Sequence, residues 1–236
     1  MLLAIDTSTD TASIALVRDD DVLAELTWHC EQNHTVELLP NLDDLLNITG
    51  LDIQSVTSIA VARGPGSFNG LRVGISTAKG LAFSMNIPIV GVTTMEIEAY
   101  QHAATGLPIC PVFNAGRGEI ASAMFQKKGN RWQQLTTEHI TTIDDLCSQI
   151  TTKTVFCGQY IPVIASQLKK HLKQKAFIPT LAARLRRAGY LAELGKKRLE
   201  AGSYDNPTTL QPLYLRQPPI TQPKRRLVNQ HGGNQQ

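Results

Sequence analysis

Residues 59–85 read IAVARGPGSFNGLRVGISTAKGLAFSM. Ile59 and Val61 form a short buried strand. Gly64-Pro65-Gly66-Ser67-Phe68-Asn69-Gly70 is a glycine-rich turn, and a helix follows it. Gly64 and Gly66 allow backbone angles closed to other residues, and Pro65 presets its own. Gly70, Gly74, Ala78 and Ala82 recur every fourth residue, which puts them on one helix face. That face is nearly flat. Each glycine costs the helix about 1 kcal/mol against alanine, so close approach by another element is the expected compensation. A second helix is the expected neighbour. The turn does not fit the GxxxxGK[ST] phosphate loop. Its amides, with Arg63 and Arg72, still form an anion-binding candidate at a helix N-terminus.

Upstream, Leu2–Ile5, Ala12–Val17 and Val22–Trp28 read as three sequential strands, an antiparallel meander. Asp6 ends the first beside Thr7, Ser8 and Thr9, where a carboxylate can meet Mg²⁺ or a phosphate; an ordinary hydrogen-bonded turn is the alternative. Thr35–Ile48 has helical periodicity in Val36, Leu39, Leu42, Leu45 and Leu46, with Thr35 as its N-cap and Pro40 as a kink. Cys30, His34 and Glu37 lie close in sequence but lack metal-site spacing.

Downstream, Ile87–Val92 is a strand, Thr93–Ala104 a helix, and Gly106-Leu107-Pro108 a hinge. A second half then repeats the scheme: strands at Ile109–Phe113, Glu119–Phe125 and Arg131–Leu135, a helix at Ile143–Ile150, a strand at Thr154–Cys157 and a helix at Ile161–His171. Thr180–Ala201 reads as one long helix with Leu181, Leu185, Ala188, Ala192 and Leu199 on its apolar side. The expected division is 1–105, 106–216, and a disordered basic tail over 217–236 containing Lys224-Arg225-Arg226.

Composition bounds the rest. The chain has 236 residues, 42% hydrophobic and 18% charged, within the globular range. Its start meets Asp6 too soon for a signal peptide, and no run is long enough to span a membrane. Cys30, Cys110, Cys147 and Cys157 show no CxxC pattern, so reduced thiols and a cytoplasmic location are expected. Residues 1–168 hold 9 basic and 17 acidic groups, a net of −8; residues 169–236 hold 14 and 3, a net of +11. That split points to a polyanion, with Arg184, Arg187, Lys196 and Lys197 as candidate RNA contacts.

Taken together, LLAIDTST, NHTVELLP, RGPGSFNGLRVGISTAKGLA and PLYLR resemble the TsaB (YeaZ) family, bacterial subunits for tRNA threonylcarbamoyladenosine synthesis. The resemblance covers about residues 1–216. It implies an α/β, actin-like, sugar-kinase/Hsp70-type (ribonuclease H-like) fold of two similar halves with mixed sheets. It also implies a chain without group-transfer activity of its own, paired with a catalytic paralogue, TsaD, and joined by a small ATPase, TsaE. Nucleotide and Mg²⁺ are then expected only in the complex, as is tRNA, with a homodimer as the form of the lone chain. The helices expected to meet the partner map onto Thr35–Ile48 and Leu71–Met85, giving Val36, Leu39, Leu42, Leu46, Gly70, Gly74, Ala78 and Ala82 as interface candidates. Asp6, Gly64, Gly66 and Ser67 are the candidates for a nucleotide or anion. Asn69, Asn114 and Gly116 depart from the family pattern. Three other readings stay open: an ATP-dependent kinase-like enzyme, a peptidase, and a tRNA-binding adaptor.

Overall fold

A computed structural model of the chain describes residues 1–216. The first half contains β1 (Leu2–Asp6), β2 (Thr11–Arg18), β3 (Asp21–His29), α1 (His34–Thr49), β4 (Ser58–Ala62), α2 (Phe68–Met85), β5 (Ile89–Val92) and α3 (Thr94–Tyr100). The second contains β6 (Ile109–Gly116), β7 (Glu119–Lys128), β8 (Arg131–Thr141), α4 (Ile143–Gln149), β9 (Thr154–Cys157), α5 (Ile161–Leu172) and β10 (Ala176–Phe177), and α6 (Ala188–Glu200) closes the order.

The strand order is β3-β2-β1-β4-β5 in one sheet and β10-β9-β6-β7-β8 in the other. Each sheet is an antiparallel meander extended by two parallel strands. Both mixed sheets thus share one topology, although no sequence repeat shows it. β1 is buried on both faces, which is why it reads as an unbroken apolar run. Leu3 and Ile5 pack under α1 and α2; Leu2 and Ala4 pack under α6. α3 lies between the sheets, with Ile97 and Tyr100 on the first and Met95 and Ala99 on the second.

Two sequence expectations are corrected here. Helix α1 begins at His34 with Asn33 flanking it, so Thr35 is inside rather than capping; the His34 ring holds the start by bonding the Thr9 carbonyl at 2.8 Å. The helix runs on through Pro40. The long helix over 180–201 reduces to α6, preceded by a single tight turn at Ala182–Arg184. Leu181 and Leu185 are exposed instead of core. Arg187 is extended, and Arg186 turns inward, which breaks the helix there.

The division at 106–216 also gives way. Helix α6 returns to cover the bare face of the first sheet, with Ala188, Leu191, Ala192 and Leu194 buried on it. A Cβ at Gly195 would come within 2.5 Å of the Ala60 Cβ, so glycine is what lets helix and sheet meet this closely. The segment after α6 stays on the first half: Asp205 N–H donates to the Ile89 carbonyl at 2.9 Å, and Leu213 N–H to the Arg63 carbonyl at 2.6 Å. Arg216 then reaches Glu119 and the Ala115 carbonyl in the second half. The expected basic tail over 217–236 lies outside the described residues.

Candidate functional site

Asp6 sits at the end of β1, where strand pairing stops and the Thr7–Asp10 loop begins. Its carboxylate is buried and fully engaged. It accepts from the Ser8 N–H at 2.9 Å and the Ser8 hydroxyl at 2.6 Å. Arg186 Nε donates to it at 2.6 Å. The same guanidinium reaches Thr9 Oγ1 at 2.8 Å, Ser8 Oγ at 3.1 Å and Glu98 Oε2 at 3.4 Å. Glu98 in turn accepts from the Gly158 N–H of the second half at 2.9 Å. One arginine therefore ties the first strand, α3 and the β9–α5 turn into a single buried network.

Burial works against the Arg186 charge, but Asp6 and Glu98 outweigh it and hold the guanidinium above the usual arginine range. Burial raises the Glu98 carboxyl, opposed by Arg186 and the Gly158 amide. A carboxylate that is to hold a metal or a phosphate-bound cation needs open lone pairs. Asp6 spends its own on Arg186 and Ser8.

The glycine turn is likewise committed inward. A Cβ at Gly66 would overlap the Ser8 carbonyl oxygen, which accepts the Ser67 N–H at 2.7 Å. Gly64, at φ 104°, donates to Thr94 Oγ1 at 3.1 Å. Ser67 Oγ caps α2 by accepting the Gly70 N–H at 3.3 Å. Arg72 lies over the Phe68 ring, 3.9 Å from its centroid. Gly66 and Ser67 form one wall of a cleft of about 370 Å³ between the halves, with Thr9, Asp10, Asn114, Gln159 and Arg216 around it. Neither Asp6 nor Gly64 lines it.

The small-residue stripe has the close contact its spacing predicts, but with a different neighbour. Gly70, Gly74, Ala78 and Ala82 are buried under the first sheet. A Cβ at Gly70 would overlap the Thr7 carbonyl, and one at Gly74 the Thr7 hydroxyl, which itself donates to the Gly70 carbonyl at 2.8 Å. The flat ridge serves this chain's own β1 end, not a foreign helix. Leu42 and Leu46 are in the same core. Val36 and Leu39 remain outside, 68% and 56% exposed, and Phe83 on α2 is 77% exposed. Phe83 was missed because its apolar neighbours Leu81, Ala82 and Met85 disguise the outward phase. Around it, Ser76, Gly80 and Ser84 are small and exposed.

The candidate RNA contacts are mostly neutralised within the chain. Arg187 pairs with Glu25, Lys196 with Asp20 and Lys197 with Glu193; Arg184 has no such carboxylate among the described residues. The Cys30, His34 and Glu37 side chains each have another partner, respectively the Asp10 carbonyl, the Thr9 carbonyl and the Trp28 indole N–H. Glu98, His102 and Cys157 bring ligand atoms within 4.8 Å of one another, yet Glu98 is held by Arg186 and Gly158, and the Cys157 thiol faces the Glu98 carbonyl at 3.7 Å.

Burial lowers the His102 pKa to about 4. Its folded value lies below its unfolded one near 6.5, so the neutral ring favours the fold above that pH. This contribution is lost as pH falls from about 6.5 toward 4. On the order of 2 kcal/mol of acid destabilisation is expected in that window. Urea unfolding of His102→Gln across the window should show a flatter pH dependence than the parent; an identical profile would contradict it.

A family model described as TsaD, tRNA N6-adenosine threonylcarbamoyltransferase, matches residues 28–221. The tRNA threonylcarbamoyladenosine biosynthesis protein TsaB of Bacillus subtilis (strain 168) is 34% identical over 218 residues, 91% of this chain and 93% of that protein. Among solved structures, YeaZ from Pseudomonas aeruginosa superposes with a TM-score of 0.76 at 24% identity, covering 91% of this chain and 99% of that one. The ROK hexokinase of Thermus thermophilus superposes at 0.53 with 10% identity, covering 85% and 99%. These last two bear on the fold, which is actin-like and shared with sugar kinases. With a transferase model matching most of its length and a named relative aligned over nine-tenths of it, this chain belongs to the TsaB group of the tRNA N6-adenosine threonylcarbamoyltransferase family.

Proposed function

We propose that this chain serves tRNA threonylcarbamoyladenosine biosynthesis as a subunit without chemistry of its own. It joins a TsaD-type transferase through the outer faces of α1 and α2, centred on Val36, Leu39 and Phe83. The observation that carries the reading is the Arg186–Asp6 pair: the acid best placed to hold a metal–phosphate is occupied by the chain's own cation. Exposed apolar side chains on two adjacent helices supply the complementary half, since such positions mark docking surfaces. ATP, Mg²⁺, the TsaE-type ATPase and tRNA enter at the level of the complex. The kinase-like alternative needs Asp6 open, and the peptidase alternative needs a nucleophile–base pair or a free metal triad, neither of which is formed among the described residues.

Reconstitution tests it. Product should form from tRNA, threonylcarbamoyl-adenylate and ATP with the transferase, the ATPase and this chain, and fall when this chain is omitted. Titration of Mg-ATP into the isolated chain should give no heat at micromolar concentration. Micromolar binding there would overturn the reading in favour of the kinase-like one.

A further inference from the structure

No aspartate or glutamate stands between Asp145 and Glu193, a stretch that carries five lysines and three arginines. The fold sorts these cations. Arg186 is buried on Asp6 and Glu98, and Arg187 is paired with Glu25. The five lysines all lie exposed at one end of the second half. Lys169 and Lys170 occupy the last turn of α5, and Lys173 and Lys175 the tight turn after it. Lys153 directly precedes β9, and the parallel register of Ala176 opposite Thr154 brings it beside Lys175.

Along α6 and at Arg216 the surface cations have carboxylate partners. Lys196 has Asp20 and Glu200, Lys197 has Glu193, Arg198 has Glu96 and Arg216 has Glu119. At this end, among the described residues, none of the five lysines has a carboxylate partner; Asp144 turns to His171 at 3.7 Å instead. The dipole of α5 favours cations in its last turn, which accounts for Lys169 and Lys170. It does not account for Lys153, which lies beyond the helix, while Lys175 Nζ also donates to the Ile150 carbonyl at 3.4 Å. Unpaired charges of one sign sum to a field that draws a polyanion. Beside them is the exposed ring of Phe177, with Lys153 Nζ 5.6 Å from its centroid. A cation next to an open aromatic face suits a backbone phosphate with its base.

We propose that this lysine end of the second half, Lys153 to Lys175 with Phe177, is an RNA-binding surface that tracks phosphates. The choice of RNA over another polyanion rests on the reading of the chain as a tRNA-modification subunit. The contacts are electrostatic and shape-tolerant, so they hold the RNA without reading its sequence.

The test compares the full chain with its Lys169→Glu/Lys170→Glu/Lys173→Glu variant. Anisotropy of a labelled tRNA transcript is followed over a salt series, with the isolated chain and with the assembled complex. The three side chains are exposed, so the fold should persist. Glutamate in the last turn of α5 opposes the helix dipole, so the melting temperature should fall by a few degrees and binding is read well below it. The variant should bind at least tenfold more weakly, and its log K against log salt slope should be shallower by roughly 2, as loss of three phosphate contacts requires. Unchanged affinity and slope would overturn the proposal. So would parent binding to anionic phospholipid vesicles or polyglutamate as tight as to RNA, which would assign the surface to another class of partner. If the parent chain fails to join the transferase, the subunit reading falls on its own, and the isolated-chain titration still decides this proposal.

Discussion

Replacing Arg186 by alanine is expected to destabilise the chain by roughly 3–5 kcal/mol, because it strands two buried carboxylates. Asp6 would lose its 2.6 Å partner and Glu98 its counter-charge, at positions water does not reach. Ser8, Thr9 and the Gly158 amide still donate or accept locally, but no cation remains. Against a typical stability of about 5–15 kcal/mol, a loss of this size removes from about a fifth to all of the stability. Urea unfolding monitored by circular dichroism measures it directly. Arg187→Ala is the control: its side chain is 55% exposed, and the Glu25 carboxylate, though only 9% exposed, keeps the Gly189 N–H as a donor, so the loss should be clearly smaller than for Arg186→Ala. Equal, small losses in both variants would show that the seam between the halves is held by apolar packing alone.

The second large effect separates folding from docking. Gly74→Leu places a side chain where the Thr7 hydroxyl sits, with the Thr7 Cβ and a methyl of buried Ile5 just behind it. Overpacking of that kind costs about 1–3 kcal/mol and more where backbone must move, so this variant should lose thermal stability first. Val36→Glu/Leu39→Glu adds charge only to exposed positions. Its melting temperature should match the parent within a degree or two, while binding to the transferase falls about a hundredfold, as for removal of interface hot spots. The opposite pattern, with Gly74→Leu folded but unable to bind and the double variant binding normally, would return the interface to the small-residue ridge.

The contrast also shows what could be read from residues alone. The spacing of Gly70, Gly74, Ala78 and Ala82 demands a close neighbour, and one is there. Spacing carries no information on whether that neighbour is a partner's helix or the carbonyl of Thr7, 63 residues upstream of Gly70. The meander, the strand–turn–helix at 59–85 and the echo of both in the second half were legible because their apolar periods are local. Arg186 was not. In sequence it is one of several basic residues in an apparently helical run, and its partner Asp6 lies 180 positions away. The same distance hid the pairing of Arg187 with Glu25 and Lys196 with Asp20, which removes both from the free positive surface. The return of α6 to the first sheet was hidden for a related reason: its stripe announces burial, not which sheet will receive it.

The most direct measurement is sedimentation of the chain mixed with a TsaD-type transferase, parent against Val36→Glu/Leu39→Glu, at equal and micromolar concentrations. The parent should sediment as one mixed assembly and the double variant as separate, folded species. Separate sedimentation of the parent, or a variant that still travels with the transferase, would contradict a subunit that acts by joining through the outer faces of α1 and α2.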